Sequence, residues 1–198
     1  NPEAYRRDVR NIDENLNRVM TVHDNPRSYE QKLANEICPL IREHRFTLDL
    51  HSTHCVGDVP FAFCDYPDVY NQKLIDALPV DFVLEGWPDI YGRQTEIRDF
   101  STEWCAHAYG NTATTLECGY HRDPQAAGLA YRAIVNALSA FGMVDLPLPA
   151  ARAKKHIRME NYVLKSKEGR LCRSYKHLDP VCKGERIALY DDGEALYA

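Results

Sequence analysis

The chain has 198 residues, 44% of them hydrophobic and 27% charged, with a formal net charge of −5. That composition suits a soluble globular protein with one good core, or one core and a small appendage. No basic stripe points to nucleic acid, no polybasic segment to a membrane surface, and no apolar run reaches the roughly 20 residues of a membrane span.

In chain order, residues 26–42 have Leu33, Ile37, Leu40 and Ile41 at helical spacing, with Asn25 as N-cap and Pro26 as first helical residue. Residues 46–50 form a short strand ending at His51, and residues 60–64 a second. Asp68 caps a predicted helix running to Leu78, with Val69, Leu74, Ile75 and Leu78 facing inward. Residues 81–84 make a third strand. From Glu85 to Asn111 no periodicity is clear, so this stretch reads as a long surface loop. The β-branched run from Thr112 to Glu117 is a strand. Asp123-Pro124 opens a helix to Phe141, with Leu129, Ile134, Leu138 and Phe141 on its buried side and Gly142 to stop it.

Alternating strands and helices predict an α/β layer architecture over residues 1–145. Leu146-Pro-Leu-Pro149 reads as a linker. Residues 150–198, with alternating runs and turns at Gly169, Gly184 and Asp192-Gly193, read as a small all-β appendage. The seven cysteines include no Cys-x-x-Cys pair, and several lie in apolar runs. Free thiols in a reducing compartment, hence a cytoplasmic protein, are expected.

Three groups of residues carry candidate chemistry. Arg10, Asn17 and Arg18 offer the rigid guanidinium and neutral amide donors that grip a carboxylate. Taken on spacing alone, a solvated surface segment with routine ion pairs is the plainer reading. His51 follows the end of an apolar strand, where α/β folds place ligands, and neighbours such as Asp49, Ser52, Thr53 and His54 could orient it. It is a metal-ligand candidate or a satisfied structural histidine. Glu117 lies between Leu116 and Cys118 in an apolar strand. Partial burial would raise its pKa and suit it to general-base work, and a buried ion pair is the other reading. Tyr91, Arg93, Glu96 and Arg98 could line a pocket from the long stretch, or be exposed. His121 and Arg122 could face the cleft of Glu117, and His23-Asp24 is a surface turn.

Taken in order, these segments resemble the succinylglutamate desuccinylase/aspartoacylase family of zinc-dependent amide hydrolases. Asn1-Pro2 is similar to that family's Asn-Pro element. The run Arg10-x-x-Asp13-x-x-Leu16-Asn17-Arg18 is similar to its substrate-binding segment, Asp49-Leu-His51-Ser-Thr53 to its zinc-ligand strand, and Leu116-Glu117-x-Gly119 to its catalytic strand. The resemblance covers residues 1–145 well and the rest loosely. It implies a zinc-carboxypeptidase-like mixed sheet flanked by helices. It also implies zinc held partly by His51, Glu117 as general base, Arg10 at the developing oxyanion, and Asn17 and Arg18 on a substrate carboxylate. The expected reaction is cleavage of a small N-acyl amino acid, with a homo-oligomer allowed. Two departures stand out. Asn15 replaces an acidic residue, and the family's His-x-x-Glu zinc motif, which precedes the Asn-Pro element, is absent from the chain. Truncation at both ends is the expectation. A non-catalytic carboxylate- or protein-binding module and a peptide carboxypeptidase are the alternatives.

Overall fold

A computed structural model describes residues 1–92, 100–150, 152–163 and 165–198. The main sheet has five strands: β1 (Phe46–Thr53), β2 (Phe61–Phe63), β3 (Phe82–Glu85), β4 (Thr112–Tyr120) and β5 (Lys155–Arg158), in the order β1-β4-β2-β3-β5. β1 and β4 run parallel, as do β2, β3 and β5, and β2 meets β4 antiparallel. This is the expected mixed sheet. The strand at 155–158, read from sequence as part of the appendage, adds to the edge of the main sheet instead. The appendage sheet proper is antiparallel: β6 (Gly169–Leu171), β7 (Arg186–Tyr190) and β8 (Ala195–Tyr197).

Among the described residues six α-helices accompany the strands: α1 (Pro2–Arg7), α2 (Tyr29–Glu43), α3 (Val69–Ala77), α4 (Trp87–Gly92), α5 (Thr102–Ala108) and α6 (Pro124–Ala140). Alternation along β4 divides the core between the two faces of the sheet. Ala113 packs with Met20, Ala34, Cys38, Ile41, Cys105 and Ala106, beneath α2 and α5. Leu116 and Cys118 point the other way, toward Leu78, Val80, Ala126 and Ala133 of the α3–α6 layer.

Several boundaries differ from the sequence reading. α2 begins at Tyr29, because the Ser28 hydroxyl accepts the Gln31 N–H at 3.1 Å; Asn25 and Pro26 lie before it. The stretch 85–111 is not one surface loop. It contains α4 and α5, and Cys105 and Ala106 are fully packed in the core. α5 is only two turns long, too short for a hydrophobic period to stand out. α6 buries Ala126, Ala133 and Ala140, whereas Ile134 is 41% exposed. Small alanines let the helix approach the sheet, with Leu129 packed at the margin of the same cluster and Phe141 stacked on Phe46. Val69, read as inward-facing, is likewise exposed. Asp68 caps α3 as expected, accepting from the N–H groups of Tyr70 and Asn71 at 2.7 and 2.8 Å. Asn71, wholly buried, ties α3 to β4 by donating to the Ala113 carbonyl (2.8 Å) and the Thr114 hydroxyl (2.7 Å). All the cysteines are free thiols, four of them buried.

Candidate functional site

The parallel ladder between β1 and β4 sets His51 directly opposite Glu117. Neighbouring strands lie about 4.8 Å apart, so two side chains on one face meet there. His51 Nδ1 is 3.8 Å from Glu117 Oε1, and His51 Nε2 is 3.0 Å from Asp49 Oδ2. Asp49 shares the face of His51 because it is two residues back along the strand. The ladder shifts register immediately afterwards, between His51 and Thr53. β4 then kinks at Gly119 (φ +84°), where an added Cβ would lie 3.0 Å from the Asp58 carbonyl oxygen.

Charge is distributed unevenly here. Burial lowers the pKa of His51, but the hydrogen bond and charge of Asp49, with the Glu117 carboxylate, raise it above the ordinary value overall. Burial also works against the Asp49 carboxylate, yet His51 holds it below the ordinary range. For Glu117 burial dominates and lifts the pKa, against the opposing pull of His51 and Arg10. Glu117 Oε2 is buried and finds no hydrogen-bond partner among the described residues.

The guanidinium groups arrive on the segment before α2. Its fold follows from one buried carboxylate. Glu30, 0% exposed, accepts from the N–H groups of Ile12 (2.6 Å), Asp13 (3.0 Å) and Glu14 (3.1 Å) and from the Asn1 amide (2.6 Å). Burial penalises the charge, but the backbone donors win and the pKa is lowered. Asn15 then caps a single 3₁₀ turn at Leu16–Arg18. Asn17 Oδ1 accepts from the Thr102 N–H at 2.8 Å, which leaves its amide hydrogens to donate elsewhere. Arg10, Asn17, Arg18, His51 and Glu117 all line one cavity of about 510 Å³. A second cleft over the outer side of β1, about 480 Å³, shares Arg10, Asn17 and His51 and adds Asp49.

The structure therefore gathers every principal candidate. It does not place His54, His121 or Arg122 on the cavity wall. His121 Nδ1 lies 2.7 Å from the Thr53 carbonyl and its ring packs edge-on against His54. Arg93, Glu96 and Arg98 lie outside the described residues, as does the side chain of Tyr91. Sequence reasoning missed several lining residues: Asp65 after β2, Trp87 of α4, Glu103 of α5, and His177 with Leu178 from the loop before β7. The one available signal was Ser101, whose hydroxyl caps α5 by accepting the Trp104 N–H at 3.1 Å.

As for a metal, His51 is one imidazole braced by Asp49, the support a ligating histidine needs. Among the described residues no group of three or more His, Cys, Asp or Glu side chains is placed to hold a metal ion. A catalytic zinc takes three protein ligands, so these residues do not complete such a site.

Neither protein-family models nor curated protein sequences match the chain. Solved structures do match its fold. A succinylglutamate desuccinylase/aspartoacylase from Rhodobacter sphaeroides superposes with a TM-score of 0.73 at 17% identity, over 98% of this chain and 63% of that one. A succinylglutamate desuccinylase from Vibrio parahaemolyticus gives 0.71 at 16% identity, over 100% and 61%. The product-bound ectoine utilization protein from Ruegeria pomeroyi gives 0.69 at 18% identity, over 96% and 60%. The fold is thus the carboxypeptidase-like fold of the desuccinylase and aspartoacylase structures. The chain spans 60–63% of the length of these three.

Proposed function

We propose that the protein is a hydrolase of the deacylase type, cleaving the amide bond of an N-acyl amino acid. The observation that carries this reading is the convergence of His51, Glu117 and the Arg10/Asn17/Arg18 group in one cavity. The neighbours' names agree with it, since they include desuccinylase and aspartoacylase.

In this reading Arg18 and the Asn17 amide hold the substrate carboxylate, which fixes the scissile amide over β4. Arg10 lies within electrostatic reach of His51 and Glu117 and stabilises negative charge that develops on the amide oxygen. Glu117 takes a proton from the attacking water and returns it to the leaving amine. Its raised pKa suits that exchange better than an ordinary carboxylate would. Zinc, implied by the family resemblance, would have His51 as a ligand. The described residues do not complete a metal site around it.

A non-catalytic carboxylate-binding module is the second reading, favoured by the lack of a three-ligand metal group among the described residues. The two share the carboxylate grip and differ in turnover. Calorimetric titration with N-acetyl-aspartate and its diamide should give measurable affinity for the acid alone. Arg18→Ala should weaken the acid by about tenfold or more, the value of a charge-assisted hydrogen bond. Equal affinity for acid and amide would sink both readings. Release of free aspartate in the same mixtures separates hydrolase from module.

A further inference from the structure

The cavity has two halves of different chemistry, and the register of the sheet sets them side by side. Residues paired across a ladder share a face. His51, Glu117 and Phe61 therefore form one row across β1, β4 and β2. Two residues further along β2, Phe63 pairs with Leu84 of β3, which pairs with Ile157 of β5. Phe63 shares the face of Phe61, so the ionisable groups over β1 and β4 give way to an apolar band over β2, β3 and β5. All six side chains line the one cavity.

Ring contacts make this band continuous. The Phe61 and Phe63 rings meet edge to face at 5.2 Å, the Phe63 and Trp87 rings lie 5.9 Å apart, and the His177 ring lies 5.2 Å from that of Phe61. His177 and Leu178 come from the loop between β6 and β7 and line the same cavity. Leu178 holds a left-handed backbone (φ +62°), in a turn closed by the Asp179 N–H donating to the Lys176 carbonyl at 3.1 Å. Glycine is favoured there, and a leucine persists only where its surroundings hold it. Arg173 braces the loop by pairing with both Asp179 (3.0 Å) and Glu185 (3.2 Å). Two acids border this half, and each is engaged with the backbone: Asp65 accepts the Trp87 N–H at 3.3 Å, and Glu103 accepts the Thr115 N–H at 2.6 Å. Burial, joined by the nearby charge of Asp65, pushes the Glu103 carboxyl up to about 8, so it is uncharged at neutral pH.

We propose that the band over β2, β3 and β5 is the acyl subsite, and that it takes an apolar acyl group about the size of a benzoyl rather than a small or charged one. The proposal rests on the hydrolase reading for the direction of the ligand. Asn17 and Arg10 also line the cleft over the outer side of β1, so a carboxylate gripped there lies on the β1 side of Glu117. An amide placed over Glu117 then points its acyl group the other way, across Phe61 toward Phe63 and Ile157. A charged acyl end would exchange water for hydrocarbon on that path, whereas an apolar one gains by leaving water.

The test is isothermal titration of the full chain at pH 7 with three ligands that share one head group: N-benzoyl-, N-acetyl- and N-succinyl-aspartate. The benzoyl ligand should bind about tenfold or more tighter than the acetyl ligand, the scale set by burying several more carbons. The succinyl ligand should bind no tighter than the acetyl one. Phe63→Ala removes the middle of the band and should erase most of the benzoyl advantage. Ile157→Trp fills the band from the edge strand β5 and should exclude the benzoyl ligand; it serves if Phe63→Ala does not fold. Benzoyl and acetyl ligands bound within a few-fold of each other by the wild type, a succinyl ligand bound tighter than the acetyl one, or a benzoyl advantage unchanged in Ile157→Trp would each overturn the apolar subsite and leave the carboxylate grip standing. Binding of none of the three would overturn the hydrolase reading together with this one.

Discussion

Glu117 is held between opposing influences, and the balance decides when it can act as a base. Burial and the charges of Asp49 and Asp58 raise its pKa, while His51 and Arg10 lower it, and the sum lies above the ordinary 4.5. A base works only when deprotonated, so raising its pKa moves the acid limb of activity to higher pH. The limb of kcat/KM should therefore fall above pH 4.5, measured by hydrolysis of N-acetyl-aspartate across pH 4 to 8. A limb at or below that value would remove Glu117 from the role. At this scale much of the site was legible from the sequence. His51 and Glu117 each close an apolar run, where a polar residue calls for a reason. Glu103 was not legible, because it accepts the Thr115 N–H at the point where β2 leaves β4, a long-range event with no local mark.

Among the elements, the segment 10–18 depends on Glu30, the first acidic residue of α2. A carboxylate that accepts three backbone N–H groups fixes a loop which has little regular structure of its own. Glu30→Gln replaces one acceptor oxygen with a donor that faces those N–H groups. It should cost about 2–3 kcal/mol in urea unfolding, the range for hydrogen bonds to a charged group. It should also weaken N-acetyl-aspartate binding, since Arg10 and Asn17 lose their footing. Loss of stability with unchanged affinity would show that the loop is positioned by something else. The strands and long helices were readable from apolar patterning and caps, as with Asp68 and Asp123. α5 was not, because two turns give too few positions for a period. The face of α6 was read correctly at Leu129 and Phe141, which pack on the core and on Phe46, but not at Ile134, because alanines fill the closest contacts with the sheet.

For the molecule as a whole, the chain aligns over 98% of its length with a structure of which it spans 63%. The small separate β-sheet was foreshadowed by the change in pattern after Gly142, and the mixed main sheet by the family resemblance. The reassignment of 155–158 to the main sheet was not, because a four-residue edge strand is the same whichever sheet it joins. No helix among the described residues is long and apolar enough to cross a membrane. With no group of three or more ligands among the described residues, the chelator-washed protein should carry well under one equivalent of zinc by elemental analysis. Tight stoichiometric zinc would mean that the ligand set has been misassigned.

The central claim, that the carboxyl facing His51 across the β1–β4 ladder performs the chemistry of a carboxylate-gripping cavity, is tested most directly by comparing Glu117→Gln with the wild type. Turnover and affinity for N-acyl amino acids would be measured on both proteins. The account expects kcat to fall by about 10²–10⁴, the usual contribution of a general base, with ligand affinity held within a few-fold. Near-normal turnover in Glu117→Gln would contradict it.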